Sequence, residues 1–275
     1  MKGKYRYLLT FLIALLTNFN LTAQERPFPY PEIPDLLQDP QDRIAYLLEN
    51  FWNNFNFNDT TEENKVTEEQ GFVDFINFLQ YADSALAAKS TCILAEKIGK
   101  TKECQQRFDG LIDHYLGNPD SPMRNDRTYA HLLRALPPTP RRNFLLKEVT
   151  KNLPGMRSAN ISFVADYGQN IRATQQPQRL YDVKSPMTLL VFHDPDCEHC
   201  HEIMPLIQNS QELKMNANRL KILYINIEAD YNFAIRKDYY LPALPALYLL
   251  DEQKRILLKD ATLKQVIEFL QGKVK

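Results

Sequence analysis

The chain has 275 residues, 44% of them hydrophobic and 24% charged, with 8 Gly and 17 Pro. This composition excludes disordered and collagen-like chains, and the length favours two domains over one core. With 33 bases against 34 acids the formal charge is −1, which excludes the broad basic field of a nucleic-acid-binding protein.

Residues 1–23 carry Lys2, Lys4 and Arg6, then the apolar run YLLTFLIALL (7–16), then LTAQ (21–24) with the small Ala23 before a cleavage point. That is the layout of a secretory signal peptide, and the run is shorter than the roughly 20 residues of a bilayer span. An uncleaved anchor is the alternative, and would be the chain's one tie to a membrane. No cysteine follows the cut, which argues against a lipoprotein anchor. Cleavage removes three bases and no acids, leaving 30 against 34, a charge of −4. The expected location is periplasmic or secreted, where disulfides persist.

Residues 24–150 predict an all-α domain. Asp39 and Pro40 open a helix with Ile44, Leu47, Leu48, Phe51 and Phe55 at helical spacing. Further helices are predicted over 67–82, 84–99, 101–117, 121–137 (Ser121 before Pro122 as its opening turn) and 140–150. The aromatic stretch NFWNNFNF (50–57) is expected in the core, with a peptide-binding face as the alternative. In NPDSPMRN (118–125), Arg124 and Asn125 are expected to fix a capped turn. His114 and His131 carry no assigned role.

From residue 151 the period changes. ANISFVADYGQNIRA (159–173) predicts a hairpin about the turn 166–169, with Ile161 and Phe163 before it and Ile171 after. MTLLVFH (187–193) and RLKILYINIE (219–228) are continuous apolar runs, as buried strands should be. A helix over 198–214 contains Pro205, and a short helix is predicted over 231–240. A hairpin turns at Asp251–Lys254, and an amphipathic helix over 263–272 closes the chain. This is an α/β or α+β layout.

Four cysteines, Cys92, Cys104, Cys197 and Cys200, are too few for a disulfide scaffold. Cys92 and Cys104 flank the turn at Gly99 between two predicted helices. A bridge across that helical hairpin and two small buried thiols are both open. Cys197 and Cys200 sit in DPDCEHCHE (194–202), where a buried strand ends and a helix begins. A helix start offers unpaired amides and partial positive charge, which stabilise a thiolate. Cys197 is the expected nucleophile, and Cys200, one turn on, the resolving thiol. A structural bridge is one alternative and zinc another, although His193, His199 and His201 crowd into one turn and no second cysteine pair follows. No cofactor is expected, since the electrons reside in the cysteine pair. In LPALPALYLLD (241–251), a cis Leu244–Pro245 bond would press a loop against the cysteines and present backbone to an extended substrate.

Together, the C-X-X-C after a strand, Pro205, Pro245 before ALYLLD and the terminal helix resemble a thioredoxin-like fold over about residues 151–275. The lead-in KNLPGMRSANISFVADYGQNIRA (151–173) resembles the secreted TlpA-type and peroxiredoxin-like branch. The stretches 46–59 and 115–133 resemble a helical domain of unknown function that precedes thioredoxin-like domains in exported proteins of Gram-negative bacteria. The resemblance implies a signal peptide (1–23), a helical domain (24–150) and a thioredoxin-like domain (151–275). It implies a thiol–disulfide oxidoreductase acting on exported proteins with disulfides or thiols, together with a redox partner. Two departures stand out. Many thioredoxins carry Trp before the first cysteine and a buried acid six residues before it; here these are Asp196 and Val191. Glu202, Glu198 or His199 is then the candidate proton acceptor. His199 favours a thiolate while Asp194, Asp196 and Glu198 oppose one, so the redox direction is open. A binding or scaffold module with a structural C-X-X-C bridge is the alternative function, and a peroxidase a third.

Overall fold

The computed structural model describes residues 27–165 and 176–273. The 1–23 segment, the turn at 166–169 and Ile171 lie outside the described residues. Among the described residues, no helix is long and apolar enough to cross a membrane. The chain divides into two compact units, one up to Ile98 and one from Gly99.

The first unit holds helices α1 (Pro40–Asn50), α2 (Glu62–Phe78) and α3 (Ser84–Ile98). Each of the first two starts where a side chain satisfies its free amides. Asp39 Oδ1 accepts from the amides of Gln41 (2.7 Å) and Asp42 (3.3 Å), and Thr61 Oγ1 accepts from Asn64. The aromatic stretch at 50–57 is core. Phe51, Trp52 and Phe55 are buried, and the Phe28 ring stacks on Phe51 at 4.8 Å and on Phe55 at 5.7 Å. Trp52 meets the edge of Phe75 at 5.6 Å. Gly71 on α2 makes room for this cluster, because a Cβ there would overlap the Phe28 ring. Helix propensity alone would favour Ala at this position, but overpacking a filled core costs more.

The second unit begins with α4 (Lys102–Ile112), which widens into a π-helical turn over Asp113–Gly117, then α5 (Asp126–Ala135) and α6 (Pro140–Val149). Helix α5 starts five residues later than the Ser121–Pro122 signal predicts. Ser121 is otherwise engaged: its Oγ donates to Tyr115 O at 2.7 Å and accepts from the Met123 amide at 3.2 Å. Asn125 caps the helix instead, accepting from the amides of Arg127 and Thr128.

The sheet has the order β4-β3-β5-β6. Strand β3 (Met187–His193) pairs in parallel with β4 (Leu220–Asn226) and antiparallel with β5 (Ala246–Asp251), which pairs antiparallel with β6 (Ile256–Ala261). The central position of β3 explains its unbroken apolar run, since both its faces are covered. On one face, Leu189 and Val191 pack with residues of α7 (Glu198–Asn209), α8 (Gln211–Met215) and α10 (Leu263–Leu270). On the other, Leu190 and Phe192 pack with Ile235 of α9 (Ile235–Asp238), and with Phe163 and Leu180 from the lead-in. In that lead-in β1 (Ser162–Phe163) pairs with β2 (Gln178–Arg179). Helix α9 is shorter than predicted because Asn232 is diverted. Its buried side chain bonds both backbone groups of Val164 and the carbonyl of Asn226.

The compact units do not divide at residue 150, where the sequence pattern changes. Helices α4–α6 belong with the sheet, and a buried ion network shows why. Lys259 Nζ on β6 donates to Val149 O and Lys151 O, both at 2.8 Å, and pairs with Asp126 at 2.6 Å. Arg124 pairs with Asp126 at 3.3 Å and with Asp260 of β6. Buried charges persist only when paired and hydrogen-bonded in this way.

Gly71→Ala should lower stability by about 1–3 kcal/mol, read as a fall in the denaturant midpoint at unchanged slope. A stabilised variant would mean that the Phe28 ring can yield.

Candidate functional site

Strand β3 delivers the chain to a tight loop. Asp194 Oδ1 accepts from the Asp196 amide at 2.8 Å, and Asp194 O accepts from the Cys197 amide at 3.2 Å. This Asx-type turn sets Cys197 at the N-cap of α7, where its Sγ accepts from the Cys200 amide at 3.2 Å. Cys197 takes the role that Ser, Thr or Asp usually fills at such a position.

The pair is asymmetric. Cys197 is half-buried with a free thiol, whereas Cys200 is 1% exposed. Burial, above all, pushes the Cys200 thiol up to about 12. The side-chain hydrogen bond shared with Cys197 adds to this, and a hydrogen bond from the Asp194 backbone opposes it.

The loop before β5 closes the site. Leu244–Pro245 is a cis peptide, as the sequence suggests, and Leu244 O lies 3.5 Å from Cys197 Sγ. The expected supporting residues separate into two groups. Leu244 and Pro245 stand at the sulfur. Asp196, Glu198 and His199 are solvent-exposed, and His199 Nδ1 approaches Glu202 Oε2 at 3.4 Å. Val191 is fully buried among apolar side chains facing α7, so no acid occupies that place. Glu198, His199 and Glu202, the acceptors considered from sequence, all face solvent while Cys200 is enclosed. Sequence reasoning undervalued Asp194; the Asp-Pro-Asp spacing of an Asx turn was the signal for it.

Cys92, on α3, is exposed and Cys104, on α4, is buried. Cys92 stands on the outer side of α3, next to fully buried Thr91, while Cys104 turns inward from α4. Among the described residues, no three His, Cys, Asp or Glu side chains are grouped to hold a metal ion.

A four-stranded sheet in this order, with a cysteine pair opening the helix after its central parallel strand and a cis-proline loop at the first sulfur, defines a thioredoxin-like fold. The chain is similar over 90% of its length, and over 99% of the other chain, to the crystal structure of a thioredoxin-like protein from Bacteroides caccae ATCC 43185, with 24% identity and a TM-score of 0.75. Two shorter structures also match. One is the C-terminal domain of an uncharacterized protein from Bacteroides fragilis NCTC 9343, at 27% identity over 44% of this chain and 99% of that one, with a TM-score of 0.38. The other is a domain of a possible thiol-disulfide isomerase from Cytophaga hutchinsonii ATCC 33406, at 22% identity over 45% of this chain and 95% of that one, with a TM-score of 0.36. No curated protein matches the chain. Residues 14–159 match the domain of unknown function DUF5106. That match spans more than half of the chain, which therefore belongs to the DUF5106 family.

Iodoacetamide at about neutral pH should label Cys197 well before Cys200 in the reduced protein. In Cys197→Ser, labelling of Cys200 should climb with pH through about 10 without a plateau, because its thiol ionises only near the value that burial imposes. First labelling at Cys200, or a plateau near pH 8, would contradict the assigned asymmetry.

Proposed function

We propose that the protein is an exported thiol–disulfide oxidoreductase. The observation that carries this is the Cys200 amide donating to the half-exposed Cys197 sulfur at 3.2 Å. A backbone N–H aimed at this sulfur fixes it at the helix start, half open to a partner disulfide, and a thiolate is the attacking species in disulfide exchange. The thiolate of Cys197 attacks one sulfur of a substrate disulfide; the other sulfur leaves as a thiolate and takes a proton from solvent. Cys200 loses its proton and attacks the Cys197 sulfur, and the second substrate sulfur departs as a thiol. Two electrons have then passed to the substrate and the protein holds a Cys197–Cys200 disulfide. The reverse sequence oxidises a substrate dithiol. A dithiol or disulfide partner resets the pair in either direction.

Export is proposed from residues 1–23. The substrates would then be periplasmic or secreted proteins with disulfides or thiols. Chain recovered from the periplasmic fraction should lack these residues by mass spectrometry, and an intact chain confined to the cytosol would refute export.

A scaffold in which the pair forms a structural bridge is the second reading. Buried Val191, in the place where many thioredoxins carry an acid, favours it. A trapping experiment separates the two. In cells, Cys200→Ser should accumulate mixed disulfides with exported proteins, visible as adducts on a non-reducing gel, while Cys197→Ser should trap none. Equal trapping would overturn the roles of the two cysteines. No trapping, with a reduction potential as low as about −300 mV or below, would favour the scaffold.

A further inference from the structure

A cavity of about 510 Å³ adjoins the cysteine site within the second unit. Leu244 and Pro245 line it, and His199 of α7 lies at its edge. Since Leu244 O is 3.5 Å from Cys197 Sγ, a chain disulfide-bonded to Cys197 would have its neighbouring residues at this opening. Among the apolar lining residues, Ile203 and Leu206 come from α7 and Leu263 from α10. Leu206 is 57% exposed, an unusual position for a leucine unless something covers it. Part of the remaining lining comes from the 119–127 segment, including Pro119 and Pro122, and part from β6 and the residues that follow it. The 119–127 segment lies inside the DUF5106 match and outside the thioredoxin-like sheet.

Four of the charged lining residues are already committed to one another. Arg124 is paired with Asp126 and Asp260, and Lys259 with Asp126. Asp120 and Arg127 also line the cavity, so three bases balance three acids and leave no surplus charge to attract an ionic ligand. The Arg124–Asp260 pair ties the 119–127 segment to β6. The cavity falls within the size range, about 300–1,000 Å³, of sites that enclose a bound group, and its exposed lining is more apolar than polar.

We propose that residues 119–127 make one wall of a substrate subsite, which takes a bulky apolar side chain flanking the reacting cysteine of a polypeptide. This rests on the redox reading above and names its substrate class. Arg124 is a positioning residue, holding the wall against Asp260.

The test is a single-turnover reaction of the pre-reduced protein with two cysteine peptides, each a mixed disulfide with a chromophoric aromatic thiol. They differ only in the residues flanking the cysteine, Leu in one and Asp in the other. Cys197 and Cys200 supply both electrons, so no other reductant is needed. The Leu peptide should react at least about tenfold faster, as burial of one apolar side chain implies. Leu206→Asp should erase most of that ratio, and Pro122→Lys, on the exposed turn, should shift it toward the Asp peptide. Equal rates for the two peptides in the unmodified protein would overturn the subsite. So would a ratio unchanged in both variants. If 2-hydroxyethyl disulfide is still reduced in those cases, the redox reading survives alone. If the unmodified protein reduces neither peptide nor 2-hydroxyethyl disulfide, the redox reading falls, and the subsite with it.

Discussion

The site depends on one hydrogen bond, from the Cys200 amide to the Cys197 sulfur. It exists because the first turn of any helix has amides with no carbonyl to bond, and here a cysteine occupies the capping position. Everything around it serves to hold that geometry. Strand β3 is buried on both faces and cannot shift without exposing Leu189, Leu190, Val191 and Phe192. The Asp194 turn fixes how far the chain travels between strand and helix. The same helix start that exposes the first sulfur encloses the second, and the proposed roles of attacker and resolver rest on this difference in burial.

The helical segment joined to the sheet is the less usual part of the molecule. The sequence family ends near residue 159, yet the packing boundary falls at Ile98. Helices α4–α6 therefore share a family with α1–α3 but a compact unit with the sheet. Lys259, Asp126, Arg124 and Asp260 make this union, and burying four charges is costly unless all are paired. Such a network is poor evidence of extra stability. Its clearer consequence is registry: it holds residues 119–127 at a set place beside the cavity.

The placement of the cysteines was legible in the residues because it is local. A C-X-X-C following an apolar strand specifies a helix start, and Pro245 before ALYLLD marked the loop that meets it. The aromatic core at 50–57 was legible for a similar reason, since Phe51, Trp52 and Phe55 recur at helical spacing. Helix α5 misled because Ser121 and Asn125 are both good caps, and the Tyr115 carbonyl, six residues before Ser121, engages the Ser121 hydroxyl. Helix α9 misled because Asn232 is claimed by Val164, 68 residues earlier in the chain.

The sequence by itself determined the element types, the thioredoxin-like order of the second half and the place of Cys197 and Cys200 at a helix start, since these follow from short-range periodicity and spacing. Tertiary structure alone decided which charges meet and which cysteines turn inward. It decided that helices α4–α6 join the sheet and that residues 119–127 stand beside the cysteine loop. Those outcomes depend on contacts between residues tens to more than a hundred positions apart, and no local pattern encodes such pairings.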